Sequence, residues 1–116
     1  MTTFTVPGQP VPKARARTVR GHSYTPEPTR RYERAVAVLA QAAGLRPTAE
    51  PVSVTVAVFM GDARRRDLDN CIKAITDGLN GVAYADDSQI VDLHAHKRID
   101  RDYPRAVVTV EEADAQ

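Results

Sequence analysis

The sequence is poor in cysteine, in aromatic residues and in long apolar runs, and each shortage excludes a class of protein. The single cysteine, Cys71, allows no disulfide within the chain and favours a reducing cytoplasm. No apolar run reaches about eighteen residues, so we expect no membrane span. The first residues lack the basic and apolar segments of a secretion signal. With aromatic residues at 5%, a platform that stacks single-stranded bases is not indicated.

Charge is distributed unevenly along what reads as one globular domain. The 116 residues are 42% hydrophobic and 27% charged, as in ordinary soluble domains. The net charge of +1 conceals eleven Lys and Arg against four Asp and Glu in residues 1–66, and five against eleven in residues 67–116. Such halves suit a protein that holds a polyanion and cuts it with metal-binding carboxylates. Charges alternating around a solvated surface would account equally well for the composition.

Apolar spacing predicts the order strand, helix, strand, helix, strand, strand. Period-two alternation predicts strands over residues 2–6 and 51–60, and residues 90–97 and 106–110 also read as strands. Helical spacing predicts helices over about residues 29–43 and 68–79. We therefore expect the α+β class: a single small domain with a mixed sheet of about four strands packed with two helices. Residues 111–116 are predicted to be an acidic, frayed tail.

A proline-punctuated and then basic stretch, residues 8–23, follows the first strand. Lys13, Arg15 and Arg17, at two-residue spacing, could follow a phosphate backbone from an extended arm or loop. Arg64, Arg65 and Arg66 form a second basic group before the second helix. A solvated loop remains the alternative for the first stretch.

The candidate chemistry lies in two acidic pairs. Asp67 and Asp69 are separated by one apolar residue, so in an extended chain their carboxylates face the same side. Asp86 and Asp87 follow after a helix-length interval. Gathered carboxylates repel one another unless a cation neutralises them, so if the pairs meet, a divalent metal such as Mg²⁺ is expected among their oxygens. The alternative is that the first pair caps a helix while the second shapes a turn.

The second helix has a predictable buried side. Its apolar residues recur at intervals of three and four: Leu68, Ile72, Ile75 and Leu79. The opposite, exposed side is then predicted to carry the polar residues Asp69, Asn70, Lys73, Thr76 and Asp77. Asp69 and Lys73 are four residues apart and can touch. Lys73 could contact a scissile phosphate or help to activate water.

Three motifs occur together: Asp67-Leu68-Asp69-Asn70 with Lys73, then residues 86–91, then Lys97. This combination resembles the signature of the RusA-type Holliday junction resolvases, and residues 10–17 resemble the N-terminal arm of many members. The resemblance implies a homodimeric, Mg²⁺-dependent endonuclease, with Mn²⁺ as a substitute, that cuts four-way DNA junctions symmetrically in recombination and repair. No organic cofactor and no membrane partner are implied.

The resemblance also assigns residues. It implies that Asp67, Asp69 and Asp87 are catalytic metal ligands, that Asp86 lies beside them and that Lys73 is an active-site lysine. Contact with DNA is the expected role of the remaining set: Lys13, Arg15, Arg17, Arg64, Arg65, Arg66, Asn70 and Lys97. Because one chain offers one carboxylate cluster and a junction needs two cuts, a two-fold dimer is expected. Two alternatives stay open: a nuclease for flaps or forks, and a non-catalytic protein that binds branched DNA.

Overall fold

The computed structural model describes residues 1–113, and its elements follow the predicted order with a two-stranded hairpin and a short 3-10 helix added. They are β1 (Thr2–Pro7), β2 (Arg17–Val19), β3 (His22–Tyr24), α1 (Glu27–Ala42), β4 (Val52–Met60), α2 (Leu68–Leu79), a 3-10 helix (Asp87–Gln89), β5 (Ile90–Ile99) and β6 (Arg105–Glu112). The predicted α+β class, with a mixed four-stranded sheet and two helices, is confirmed. Neither helix of the described chain is long and apolar enough to cross a membrane.

The four-stranded sheet has the order β1-β6-β4-β5. β6 is antiparallel to both of its neighbours, whereas β4 and β5 are parallel, with α2 as the connection between them. Because a crossover helix runs back along its strands, the start of α2 lies towards the ends of β4 and β5. β5 has β4 on one side only and is an edge strand.

Both helices pack on one face of the sheet. The residues of β4 that alternate in sequence, Val52 to Val58 together with Met60, are buried, as the period-two pattern predicts. α1 covers them with Tyr32, Val36 and Ala40, and α2 with its predicted apolar side. Cys71 is buried in this core, and burial raises the pKa of its thiol. Each large apolar side chain buried in this way contributes roughly 1.5–3 kcal/mol.

The basic stretch after β1 contains a structure that the sequence pattern did not predict. β2 and β3 form a two-stranded antiparallel hairpin, turning at Arg20 and Gly21, which have φ angles of 51° and 81°. Positive φ at both central residues matches the twist of the paired strands. The strands have three residues each and are fully exposed, so they carry no apolar alternation that would have revealed them.

Several boundaries also differ from the predictions. α1 begins at Glu27 after Pro26, without a side-chain cap, whereas Thr29 is buried inside the helix and accepts a hydrogen bond from the Ala14 amide. β6 continues to Glu112, because strand pairing with β4 extends that far. The predicted acidic tail therefore begins with two strand residues, and residues 114–116 lie outside the described part of the chain.

At Gly78, α2 lies close against the backbone of α1. A Cβ atom placed on it would lie 2.9 Å from the Glu33 carbonyl oxygen and 3.0 Å from Cβ of Val36. The first contact is with backbone of α1, so relief requires the helices to separate. The absence of a side chain at Gly78 thus sets the distance between the two helices.

We expect Gly78→Ala to lower the free energy of unfolding by about 1–2 kcal/mol. Alanine is the better helix former, but the overlap of its Cβ atom with α1 costs more free energy than the higher helix propensity gains. Urea denaturation followed by circular dichroism measures this. Val38→Ala, on the exposed side of α1, is the control and should change stability by less than about 0.5 kcal/mol. Unchanged or increased stability of Gly78→Ala would contradict the packing argument.

Candidate active site

The beginning of α2 presents two carboxylates that one asparagine orients. Asp67 is the N-cap residue with an extended backbone, and Asp69 lies in the first turn. The Asn70 side-chain amide donates to Asp67 Oδ2 at 3.3 Å, and its backbone amide donates to Asp69 Oδ1 at 3.0 Å. Within residues 1–113 neither carboxylate forms an ion pair, and both residues are exposed. Their negative charge is therefore free to attract a cation.

A short turn holds the second acidic pair in place. The Asp86 carboxylate accepts a hydrogen bond from the Ser88 backbone amide at 3.0 Å, and Gln89 Oε1 accepts from the Asp86 amide at 3.0 Å. These reciprocal bonds form a capping box at the 3-10 helix. Hydrogen bonds from Ser88 lower the pKa of Asp86. The Asp86 carboxylate is thus occupied by a hydrogen bond within its own turn, whereas the Asp87 carboxylate is left available to other groups.

Gln89 fastens this turn to the rest of the molecule. Its Nε2 donates to the Thr48 carbonyl at 2.7 Å and to the Glu50 carbonyl at 2.9 Å, both in the segment before β4. Its Oε1 accepts from the amides of Ala85 and Asp86. One amide side chain thereby joins two loops through four hydrogen bonds. The side chain at position 89 must therefore both donate and accept hydrogen bonds, as the planar amide of glutamine does.

Lys73 connects the turn to α2. Its ammonium lies 3.0 Å from Asp77 Oδ1 and 3.3 Å from Asp87 Oδ2. The hydrogen bond to Asp77, with a smaller contribution from Asp87, raises the pKa of Lys73. The predicted contact between Lys73 and Asp69 is not formed, because the lysine turns towards the later carboxylates. The turn of the second acidic motif therefore contacts α2 at Lys73, on the helix whose first turn carries the other acidic motif.

The three aspartates are not gathered into a ready-made cage. In the described residues, no three His, Cys, Asp or Glu side chains are close enough to hold a metal ion. The geometric cause is the direction of α2. Asp87 contacts the helix at Lys73, and Lys73 lies six residues after Asp67, which is about 9 Å further along the helix axis. The donor chemistry nevertheless fits a hard divalent cation, since Mg²⁺ commonly takes one or two carboxylates and completes its shell with water and phosphate.

Lys13, predicted to contact DNA, is instead partly buried and paired with two carboxylates. Its ammonium pairs with Glu33 Oε2 at 2.6 Å and with Asp77 Oδ2 at 3.1 Å, and its side chain is only 25% exposed. Its backbone amide donates to the Asn70 carbonyl at 2.8 Å. Partial burial lowers the pKa of Lys13, but the two carboxylates outweigh this and raise it above its ordinary value. Lys13 thus anchors the basic stretch to both helices.

The other predicted DNA contacts divide into paired and free cations. Arg66 is bound to Asp62 at 2.6 Å, which holds the pKa of that carboxyl down to about 2. Lys97 Nζ donates to the Arg66 carbonyl at 2.9 Å, joining β5 to the loop before α2. Of the arginines predicted to contact DNA, four are exposed and form no ion pair in the described chain: Arg15, Arg17, Arg64 and Arg65.

Two features of the site were missed or misjudged from the sequence. Thr76 was expected on the exposed side but is buried, and its carbonyl accepts a 2.7 Å hydrogen bond from the Tyr84 hydroxyl. Asp77 was placed only on the exposed side, yet its two oxygens join Lys13 and Lys73. The four-residue spacing between Lys73 and Asp77 could have predicted the contact between these two side chains. The contact with Lys13, 64 residues earlier, had no local signal.

Comparison with known proteins gives one family and one relative. The sequence model of the family described as endodeoxyribonuclease RusA matches residues 7–111. The curated protein YqaN of Bacillus subtilis (strain 168), described as uncharacterized, is 29% identical over 140 aligned positions. That alignment covers 97% of this chain and 96% of YqaN. The family match includes both acidic motifs, Lys73 and the anchoring lysine of the basic stretch.

Lys13→Met should lower the free energy of unfolding by about 1–2 kcal/mol, because it leaves the partly buried Glu33 carboxylate without a cation and Asp77 with Lys73 alone. Arg15→Met removes the same charge from an exposed position and should change stability by less than about 0.5 kcal/mol. Chemical denaturation of both variants at neutral pH makes the comparison. Equal stabilities of the two variants would show that Lys13 does not anchor the stretch.

Gln89→Ala should release the turn that carries Asp87, because four hydrogen bonds disappear together. We expect backbone amide exchange at Ala85 and Asp86 to become at least about tenfold faster, as for the loss of a hydrogen bond worth about 1–1.5 kcal/mol. Hydrogen exchange followed by NMR measures this. Gln41→Ala, at an exposed position of α1, should leave both rates unchanged, and protected amides in Gln89→Ala would refute the assignment.

Proposed function

The chain belongs to the endodeoxyribonuclease RusA family, and we propose that it is a Mg²⁺-dependent endonuclease that resolves four-way DNA junctions by paired, symmetric cuts. Mn²⁺ would substitute for Mg²⁺, and the cuts would serve recombination and repair. The observation that carries the proposal is the contact of Lys73 with Asp87, which brings the second acidic motif against the helix that begins with the first, in a chain matched by this family over residues 7–111.

The metal would be held by Asp67 and Asp69 from the start of α2 and by Asp87 from the turn, with Asp86 adjacent. A divalent ion bound there would activate a water molecule and shield the phosphate from its nucleophile. Asn70 keeps both α2 carboxylates oriented before a ligand arrives. Each of these groups is supplied by a regular element or a capped turn, which suits a preformed reaction site.

Lys73 would act as a cation beside the reacting phosphate. Asp77 holds its ammonium at 3.0 Å, and the contact with Asp87 at 3.3 Å keeps it in front of the turn. From this position the ammonium can neutralise a non-bridging phosphate oxygen or donate to it. Asp77 positions the lysine, while Lys73 and the aspartates carry the chemistry.

DNA would be held by the exposed arginines on either side of the carboxylates. Arg64 and Arg65 precede Asp67 directly, and Arg15 and Arg17 follow the point at which Lys13 is bound to Asn70. These cations are free of carboxylates in residues 1–113, whereas Lys13 and Arg66 are not. Phosphate contacts from such residues position a duplex without reading its sequence, and they weaken with salt.

One observation favours a second function from another class. In the described residues Asp67, Asp69 and Asp87 do not converge into a preformed group of three ligands, and a protein that binds branched DNA without cutting it needs no such group. Such a protein would bind a junction in EDTA and do nothing further when Mg²⁺ is added. A nuclease for flaps or forks is a third alternative, which a panel of branched substrates separates from a junction resolvase.

Asp67→Asn and Asp87→Asn should each retain binding to a synthetic four-way junction and lower the cleavage rate by at least about 100-fold, because each removes a negative ligand oxygen. Gel-shift binding and cleavage of a junction labelled on two opposed strands, in Mg²⁺ and in EDTA, provide the two readouts.

Asp102→Asn makes the same change at an exposed loop residue and should cleave like the unmutated protein. Full cleavage by either site variant would refute the carboxylate assignment. Junction binding by the unmutated protein without any Mg²⁺-stimulated cleavage would refute the proposed activity and support the non-catalytic alternative.

A further inference from the structure

Two histidines lie on the face of the sheet that the helices leave open. His94 and His96 belong to β5, where they pair in register with Thr55 and Ala57 of β4. Side chains of paired residues lie on the same face of a sheet, and the buried valines of β4, which the helices cover, are on the other face. The sheet therefore separates the two histidines from Lys73 and from the acidic residues at the start of α2.

Both imidazole rings are available to a ligand. The two side chains are exposed, and within residues 1–113 neither ring forms a hydrogen bond or an ion pair. Their neighbours on β4 are a threonine and an alanine, which are small and leave room above the sheet. Pairing with β4 holds the strand on both sides of the histidines, so their backbone is fixed before any ligand binds.

The spacing of His94 and His96 suits one shared ligand. Alternate residues of a strand are about 6.6 Å apart and project their side chains in the same direction. Two imidazole rings at this separation can turn towards each other and place one nitrogen each at about 2.0–2.1 Å from a common metal ion. Neighbouring residues cannot do this, because their side chains point to opposite faces of the sheet.

We propose that His94 and His96 bind one divalent transition-metal ion of the Zn²⁺ class, with water in its remaining positions. Imidazole nitrogen suits Zn²⁺, Cu²⁺ and Ni²⁺, whereas carboxylate oxygen suits Mg²⁺. The site therefore differs from the proposed Mg²⁺ site in both its place and its metal. Its existence does not depend on any nuclease activity.

The residues present make this an open site, unlike a closed structural zinc site. In the described part of the chain, no third His, Cys, Asp or Glu is close enough to complete a group of three ligands. Structural zinc sites have four protein ligands, so a pair of histidines binds its ion more weakly and exchanges it with solution. The remaining positions accept water or a donor atom of another molecule.

The charges on either side of the pair offset each other. Asp92 lies two residues before His94 on the same face, is exposed, and forms no ion pair among residues 1–113. Arg98 lies two residues after His96 and donates to the carbonyl of Lys97 at 3.0 Å. The carboxylate attracts a cation and the guanidinium repels it, so the imidazole nitrogens have to supply the affinity.

The test is calorimetric titration of the full chain with Zn²⁺ in excess Mg²⁺, which competes for the carboxylates. One ion per chain should bind. His94→Ala and His96→Ala should each raise the Zn²⁺ dissociation constant by at least about tenfold, since even the loss of a residue that only orients a ligand costs about that much.

His22→Ala is the matched control for these two variants. His22 is the third and last histidine of the sequence, and it lies exposed in the hairpin, outside the four-stranded sheet. This variant should leave the Zn²⁺ dissociation constant unchanged. Imidazole NMR provides a second measurement, in which Zn²⁺ should shift the ring resonances of His94 and His96 and leave those of His22 in place.

Two relocated pairs test whether the face of the strand matters. His94→Ala/Arg98→His places the imidazoles at positions 96 and 98, again alternate and on the open face, and should return the dissociation constant to within about threefold of the unmutated value. His94→Ala/Lys97→His also exchanges one cation for a histidine, but on the helix side of the sheet. Its binding should stay at least about tenfold weaker. Circular dichroism checks that all variants are folded.

An affinity that both single variants leave unchanged would identify an adventitious ion only and overturn the inference. A loss in only one of them would show a single ligand and overturn the pair. Equal affinities of the two relocated pairs, or displacement of Zn²⁺ by Mg²⁺, would also overturn it. A protein that binds Zn²⁺ as described but cleaves no DNA would support the site and refute the proposed function alone.

Discussion

The arrangement of the site depends on the ion pairs made by Asp77. One oxygen of this carboxylate binds Lys13, from the stretch before α1, and the other binds Lys73, which faces the turn of Asp87. The carboxylate is only 17% exposed, so water screens these pairs less than it screens ordinary surface pairs. A single side chain on α2 thereby fixes the basic stretch, the lysine and, through the lysine, the second acidic motif.

The path of the chain explains both what the site brings together and what it keeps apart. Parallel pairing of β4 and β5 requires a crossover, and α2 provides it, so the chain returns to β5 near the later turns of the helix. Asp87, in the turn before β5, consequently meets α2 at Lys73, in the middle of the helix, while Asp67 and Asp69 lie at its start. Lys73 lies between the two acidic groups and moderates the repulsion between them.

The sequence predicted the parts of this protein whose order is set by local periodicity. The alternating valines of β4 and the apolar spacing of α2 specify a buried face without reference to anything distant, and both elements are found where they were predicted. The hairpin was missed because its exposed strands have no buried face to create a pattern. The confinement of Lys13 was missed for another reason: Lys13 and Arg15 have the same local chemistry, and only the tertiary fold gives one of them two carboxylates.

The motif Asp67-Leu68-Asp69 has a different requirement at its central position. The flanking aspartates need solvent and a cation, whereas Leu68 is partly buried, packs against the core and lines the groove beside β5. An apolar residue is therefore needed between the two carboxylates because its packing fixes the first turn of α2, which in turn fixes the direction of both aspartates.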